Sequence, residues 1–145
     1  MTPIKLHPIR WGQPYESLET NEVKHFLTGE TVASIGQING GMVRRDMRQA
    51  NKAREILQGI PIRKLLEMVA SAADLFEKGT LPVGDGMQTP DDFVRQQSAT
   101  TGLPEVLCRS NIVKNAFVLR NMTQILDALT RGLDPEILSR GYGME

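Results

Sequence analysis

The stretch from Pro61 to Gly79 constrains the fold more than any other part of the chain. Its apolar residues recur mostly at steps of three or four, so they lie along one side of an α-helix. These residues are Ile62, Leu65, Leu66, Val69, Ala73 and Phe76. Pro61 suits the first helical turn, and Gly79 suits the position just after the last turn. The pattern predicts an amphipathic helix whose apolar side must be covered by another element.

Three further helices are predicted by the same period. They run from about residue 41 to 58, from 90 to 101 and from about 104 to 131. Asn39 and Thr89 precede the first two segments and are suitable N-cap residues. A glycine follows each of the three segments and is expected to end it. Residues 133–145 are predicted to add one short turn at most.

The N-terminal part of the chain is different in character. Prolines recur through residues 1–21, which disfavours a helix and a central strand, so we expect an extended arm there. Two short runs, 23–27 and 31–38, flank the sequence Thr-Gly-Glu and predict a β-hairpin. The two faces of the second run are not cleanly sorted into apolar and polar. Residues 80–88 are predicted to form a loop.

The sequence thus predicts a mainly α fold with an N-terminal β-hairpin. Its 145 residues fit one domain, divided into the arm, 1–21, and the hairpin and helices, 22–145. Lys plus Arg and Asp plus Glu both number 17, so no net charge attracts nucleic acid or an anionic membrane. No secretory signal or membrane-spanning run is apparent, and the single cysteine cannot form an internal disulfide. We therefore expect a cytoplasmic location, with no nucleic-acid or membrane partner.

Cys108 is the first candidate for chemistry. It falls in the first turns of the last predicted helix beside Arg109, and both features can lower the pKa of a thiol. However, the only histidines, His7 and His25, lie in the arm and the hairpin without a recognisable spacing. Free cysteine is also among the residues most often buried. A structural role for Cys108 is the favoured interpretation.

Metal and phosphate sites have weaker support. No Cys or His spacing typical of a metal site occurs, and Asp85, Asp91 and Asp92 lack the alternation of a calcium loop. Gly40 and Gly41 precede a predicted helix and could present backbone N–H groups to an anion. No dinucleotide-binding or P-loop pattern accompanies them. We predict no catalytic, cofactor-binding or metal-binding residue in this chain.

The first predicted helix is basic. Its cationic residues are Arg44, Arg45, Arg48, Lys52 and Arg54. Such a helix could follow a phosphate backbone, but it carries no aromatic residue for base stacking. A solvated face, or a face paired with acids of a partner, is the favoured interpretation.

The order of these segments resembles the N-terminal part of the aldehyde dehydrogenase superfamily. The resemblance spans about residues 22–143. The amino-acid sequence of these stretches is most similar to that of an acyl-reductase-like bacterial branch of the family. The stretch HFLTGETVASIGQIN is similar to the family's opening segment and strand. The stretches GGMVRRDMRQANKAREIL and IPIRKLLEMVASAADLFEKG resemble its first two helices, and QQSATTGLPEVLCRSNIVKNAF resembles the following turn and long helix.

The resemblance implies the N-terminal part of an α/β aldehyde dehydrogenase-like fold. In that family the catalytic asparagine, the dinucleotide site, the general-base glutamate and the nucleophilic cysteine all come later in sequence than the segments matched here. Cys108 does not match the position of that nucleophile. We therefore expect a scaffold portion of an NAD(P)-dependent oxidoreductase acting on aldehydes or acyl thioesters. Alone it would bind no cofactor and be inactive.

This interpretation has a physical consequence. Helix faces shaped to cover a sheet formed by other residues would be exposed in the isolated chain, as an apolar patch. The expected partners are the rest of the dehydrogenase fold or another subunit, and we expect a homo-oligomer. The alternative is a self-contained helical protein-interaction module, whose apolar stripes close on one another. A nucleic-acid binder using the Arg44–Arg54 helix is the third possibility.

Overall fold

A computed structural model describes residues 3–137 of the chain. About 53% of the residues are helical, and the remaining regular structure consists of small sheets, so the protein is a mixed α/β chain. The helices are α1 (Gly40–Met47), α2 (Ala50–Gln58), α3 (Ile62–Lys78), α4 (Pro90–Thr101), α5 (Glu105–Arg120) and α6 (Met122–Leu129). The strands are β1 (Ile4–Leu6), β2 (Ile9–Arg10), β3 (Gln13–Pro14), β4 (Thr20–Lys24), β5 (Thr31–Gly36), β6 (Leu81–Val83) and β7 (Gly86–Gln88).

The predicted hairpin is confirmed as the antiparallel pair β4–β5, but it belongs to a three-stranded sheet of order β1-β5-β4. Strand β1, which lies within the predicted arm, pairs in parallel with β5, so that Ile4 is opposite Ala33 and Leu6 is opposite Ile35. The arm is therefore extended, as expected, and it also contributes an edge strand. No proline lies within β1, so its backbone N–H groups are available for pairing.

The pairing with β1 also shows which residues of β5 share a face of the sheet, a point that the sequence left unclear. Ala33 lies opposite both Ile4 and Val23, which places these apolar residues on one face of the sheet. The register between β4 and β5 shifts at Val23 and Lys24, where Val32 is the additional residue of β5. Such a shift reorients the strand and interrupts simple alternation. This is why the alternation within residues 31–38 was uninformative.

Residues 80–88 form a second antiparallel hairpin, β6–β7, rather than the predicted loop. Its turn contains Gly84, which has a φ of +58°. A Cβ atom at this position would lie 1.9 Å from the carbonyl oxygen of Lys5 in β1. The close approach of two backbones therefore requires glycine at residue 84.

Two helix predictions are confirmed and two are corrected. Helix α3 and helix α4 have nearly the predicted bounds. The predicted first helix is divided into α1 and α2, and the predicted last helix is divided into α5 and α6. At the second break, the side-chain amide of Asn121 donates to the carbonyl oxygen of Phe117 at 2.8 Å, a local bond that competes with the helical backbone. The short turn predicted within residues 133–145 lies largely outside the described residues.

The chain comprises two compact units. Unit 1 contains the described residues up to Arg48 together with Lys78–Asn111, and unit 2 contains Gln49–Glu77 and the described residues from Ile112 onward. The buried apolar residues of unit 1 are Val32, Ala33, Val94 and Cys108, and those of unit 2 are Leu66, Ala73, Ile112 and Ala116. Within residues 3–137, no helix has the length and hydrophobicity that a membrane crossing requires.

Candidate functional site

Cys108 occupies the core of unit 1. Its side chain is fully buried, and its Sγ lies 3.8 Å from the carbonyl oxygen of Leu103. The adjacent cation, Arg109, donates instead to the carboxylate of Asp91 at 2.7 Å. Cys108 therefore has the buried position that the structural interpretation predicts.

The two histidines have separate local roles. Nδ1 of His25 accepts a hydrogen bond from the backbone N–H of Leu27 at 3.2 Å, and its ring stacks on Phe26. Nε2 of His7 lies 3.7 Å from a carboxylate oxygen of Asp85. No group of three or more His, Cys, Asp or Glu side chains within residues 3–137 has a geometry suited to a metal ion.

Asp92 belongs to the capping box at the start of α4. Its carboxylate accepts hydrogen bonds from the hydroxyl of Thr89 at 2.6 Å and from the backbone N–H of Thr89 at 3.0 Å. These bonds, the hydroxyl contribution first, lower the pKa of Asp92. Asp92 is thus part of the helix cap, and Asp91 forms the ion pair with Arg109.

The glycine pair Gly40 and Gly41 forms the start of α1, and its role is also explained by capping. Oδ1 of Asn39 accepts a hydrogen bond from the backbone N–H of Met42 at 2.9 Å. One of the N–H groups that an anion could have used is therefore satisfied by the chain itself.

The basic residues do not form one continuous helix face. Arg44, Arg45 and Arg48 belong to unit 1, whereas Lys52 and Arg54 lie on α2 in unit 2, and all five side chains are exposed. Asp46 is the acidic residue of α1, and its two carboxylate oxygens accept hydrogen bonds from Nε and Nη2 of Arg10. The prediction of a single basic helix over residues 41–58 is therefore wrong.

A cavity of about 300 Å³ lies in unit 1 between the three-stranded sheet and α4. Its apolar lining includes Ile4, Leu6, Val23, Ala33, Ile35 and Phe93. On the α4 side, Phe93, Gln96, Gln97 and Thr100 all contribute, and they follow the i, i+3, i+4, i+7 spacing of one helix face. None of the residues that line the cavity is charged.

The polar side chains of this cavity differ in whether they are already paired. Gln88 donates its side-chain amide to Oε1 of Gln96, and the hydroxyl of Thr100 donates to the backbone carbonyl oxygen of Gln96 at 3.0 Å. In contrast, Oε1 of Gln97 is buried and has no hydrogen-bond partner within residues 3–137. No role for Gln97 is predicted from the sequence. The available signal was two adjacent glutamines on the side of α4 that also carries Phe93.

Unit 2 presents a different feature, because two of its helices are apolar on two sides. On α3, Leu66 and Ala73 are buried, whereas Met68 and Leu75 are exposed to 52% and 56%. Each pair is separated by seven residues, or about two helical turns, and the two pairs point to opposite sides. The apolar stripe predicted from the sequence contains the buried pair but not the exposed one.

The second half of α5 also carries a buried and an exposed apolar pair, here about 100° apart around the helix because their residues are adjacent in sequence. Ile112 and Ala116 are buried, whereas Val113 and Phe117 are exposed to 52% and 63%. We call Met68, Leu75, Val113 and Phe117 the exposed apolar residues of unit 2. Whether another polypeptide segment covers them stays a prediction.

Comparison with protein-family models, with curated proteins and with solved structures finds no match to this chain.

Proposed function

We propose that the chain is the N-terminal scaffold portion of an NAD(P)-dependent aldehyde or acyl-CoA dehydrogenase or reductase of the aldehyde dehydrogenase superfamily. In this role it supports the cofactor-binding lobe and supplies neither the catalytic nor the dinucleotide-binding residues. The rest of that fold, or another subunit, is its partner, and the assembly is a cytoplasmic homo-oligomer.

The observation that carries this proposal is the pair of two-sided helices in unit 2. A helix with one apolar strip is covered by one neighbouring layer, whereas a helix with two separate apolar strips needs a second neighbour. In α3 and α5 one apolar side is buried and the other is exposed. The exposed apolar residues of unit 2 therefore support a role as a layer within a larger α/β structure.

The order of elements gives further support. Thr28, Gly29 and Glu30 lie in the connection between β4 and β5, and Gly29 has a φ of +72°. The chain then passes through β5 into α1, which is the order that the resemblance implies. This support is weaker, because hairpins followed by helices occur in many folds.

The test begins with the coding sequence downstream of codon 145. We expect it to continue into a Pro-x-Asn turn, a βαβ unit and a Gly-x-Cys-like stretch. The whole encoded polypeptide should reduce NAD or NADP with an aldehyde, or oxidise the reduced cofactor with an acyl-CoA, and residues 1–145 alone should do neither. Replacing the downstream cysteine should abolish turnover, whereas Cys108→Ala should retain it.

The alternative, a self-contained helical protein-interaction module, also has a use for the exposed apolar residues of unit 2. It requires a coding sequence that stops directly after Glu145 and a chain that unfolds cooperatively as a monodisperse monomer. That pair of results would overturn the proposed function.

A further inference from the structure

Unit 1 carries two exposed surfaces that complement each other in charge and in apolar character. We propose that they form a self-association contact, in which the acidic loop of one copy of the chain docks on the basic helix face of a second copy. The acidic loop lies between β3 and β4 and contains Glu16, Leu18 and Glu19. The members of the basic helix face are Val43, Arg44, Met47 and Arg48. This inference does not depend on the proposed dehydrogenase function.

The acidic loop presents one leucine to solvent on a fixed backbone. Leu18 is 102% exposed, the highest value of any large apolar side chain within residues 3–137. The hydroxyl of Ser17 donates to the carbonyl oxygen of Gln37 at 2.5 Å and accepts from the backbone N–H of Glu19 at 3.2 Å. The carbonyl oxygen of Glu19 in turn accepts from the backbone N–H of Gln37 at 2.8 Å. An apolar side chain on such an anchored loop loses less conformational entropy on binding, so Leu18 is suited to anchor a contact.

Two carboxylates flank this leucine. Glu16 and Glu19 are both exposed, and neither side chain has an ion-pair partner within the described part of the chain. The loop therefore offers an apolar point between two uncompensated negative charges.

The basic helix face has the opposite charge around an apolar strip. Val43 and Met47 are four residues apart, so they share one side of α1, and they are exposed to 43% and 64%. Arg44 and the C-cap residue Arg48 are also four apart and lie about 100° further around the helix. Both arginines are exposed and without an ion-pair partner among residues 3–137. Because two cations at this spacing repel each other, a carboxylate placed beside them is favoured.

The acidic residue of α1 does not oppose this contact. Both carboxylate oxygens of Asp46 accept hydrogen bonds from Arg10, and Nε1 of Trp11 donates to the same carboxylate. The charge of Asp46 is thus compensated within its own copy. An acidic loop from a second copy meets a surface on which the uncompensated charges of Arg44 and Arg48 are positive.

The combination of apolar and charged groups favours a second copy over a nucleic acid. A phosphate backbone would pair with the arginines but would leave Val43 and Met47 in water. The acidic loop supplies carboxylates for the arginines and Leu18 for the apolar strip. Each copy has one loop and one face, so two copies can exchange the same contact in a two-fold dimer.

The experiment must exclude association through unit 2. We call the full chain carrying Val113→Ser and Phe117→Ser the reference chain, because those changes remove apolar surface from unit 2. Its association constant is measured by sedimentation velocity, and circular dichroism checks that each variant remains folded. The reference chain should still self-associate, and added salt should weaken its association by screening the charges.

Charge reversal on each side tests the pairing. In the reference chain, Glu16→Lys with Glu19→Lys should weaken association by at least about tenfold, because attraction becomes repulsion. Arg44→Glu with Arg48→Glu should have the same effect. An equimolar mixture of the two reversed chains should associate as well as the reference chain, since the reversed loop then meets the reversed face and the unaltered loop meets the unaltered face.

Two matched controls accompany these variants. Lys52→Glu with Arg54→Glu makes the same change of net charge on α2 and should alter association by no more than about twofold. Leu18→Ser should weaken association about tenfold by removing the apolar anchor. Leu27→Ser, the same change at a side chain exposed to 76% elsewhere in unit 1, should not.

The location of the contact is read directly from NMR spectra. An isotope-labelled chain with the reversed helix face is titrated with an unlabelled chain carrying the reversed loop. The backbone amide signals of Gly40–Met47 should shift and saturate.

Several results would overturn the inference. A reference chain that is monomeric at millimolar concentration would do so, while leaving the proposed function standing, because that proposal depends on unit 2. Failure of the two reversed chains to associate with each other would exclude the loop-to-face pairing. Equal weakening by the Lys52 and Arg54 variant would show that only net charge matters, and saturation without shifts in α1 would place the contact elsewhere.

Discussion

Arg10 and Asp46 form a two-point ion pair that joins β2 to α1. Nε and Nη2 of Arg10 donate to the two carboxylate oxygens of Asp46, each at 2.7 Å, and Nε1 of Trp11 donates to the same carboxylate at 3.2 Å. The guanidinium of Arg10 also lies over the ring of Tyr15, 5.2 Å from its centroid. These contacts attach the proline-rich N-terminal segment to the first helix.

The Arg10–Asp46 pair makes stability dependent on pH in the acid range. The hydrogen bonds from Arg10, and then that from Trp11, lower the pKa of Asp46. Its contribution is therefore fully present above the unfolded value, about 3.9, and is lost as the pH falls through the lower folded value. Asp46→Asn should lower the unfolding midpoint at pH 7, and the difference from the unaltered chain should disappear in strong acid.

Trp11 provides the readout for this experiment, because it is the only tryptophan of the chain. Asp46→Asn should change its fluorescence at pH 7. Asp91→Asn is the matched control. Asp91 pairs with Arg109 at a more exposed position, so this variant should lower the unfolding midpoint less. If the lower unfolding midpoint of Asp46→Asn persisted unchanged in strong acid, the stabilising role of the Arg10–Asp46 pair would be contradicted.

Gly102 is expected to resist substitution for two reasons. It ends α4 with a φ of +75°, and a Cβ atom there would lie 3.2 Å from ring atoms of Phe26. Gly102→Ala should lower the free energy of unfolding by about 1–2 kcal/mol from the backbone conformation, with an additional loss from crowding of the ring. Urea unfolding measures the change.

Gly12→Ala separates these two contributions. Gly12 has a similar φ of +78°, but a Cβ atom there would have no neighbour within 4 Å. It should therefore show the backbone cost alone. Equal losses of unfolding free energy in the two variants would show that the ring of Phe26 moves aside without an energetic penalty.

The exposed apolar residues of unit 2 should drive self-association of the isolated chain. The double variant Val113→Ser with Phe117→Ser should reduce association in sedimentation velocity, because it removes apolar surface from contact with water. Its free energy of unfolding should change by less than about 0.5 kcal/mol per site, as at ordinary surface positions.

Ile112→Ala is the control on the buried side of the same helix. Ile112 is 3% exposed, so this variant should lose about 2–5 kcal/mol of unfolding free energy. An unaltered chain that is monomeric at high concentration would refute the association prediction.

Cys108 should react slowly with thiol reagents in the folded chain. Because its side chain is fully buried, modification requires local or global opening. Labelling with a disulfide reagent should accelerate strongly in denaturant, and it reports on one site because the chain has one cysteine. Equal labelling rates in buffer and in denaturant would place the thiol at the surface. Cys108→Ala should cost about 1 kcal/mol of stability.

Much of the helical structure could be predicted from the sequence. The period of α3 and the capping box of α4 are local features, and both helices have nearly the predicted bounds. The breaks at Gln49 and Asn121 were missed, because neither glycine nor proline occurs there. The β6–β7 hairpin was missed because its strands have only three residues each and contain Pro82.

The candidate cavity was less predictable. Gln97 follows an ordinary helical pattern, and nothing nearby in sequence indicates that β1 and β5 lie opposite it. The cavity is lined by residues of the three-stranded sheet, of the β6–β7 hairpin and of α4 together. Such a feature becomes visible only when distant segments are assembled.

The sequence alone determined where α3 and α4 begin and end and that a hairpin forms around Thr28-Gly29-Glu30, because periodicity, capping and turn chemistry act between near neighbours. The tertiary structure decided that β1 pairs in parallel with β5, that a cavity lies between sheet and α4, and which apolar side of α3 and α5 is buried. Those outcomes depend on pairing and packing between residues far apart in the chain, and local patterns do not encode them individually.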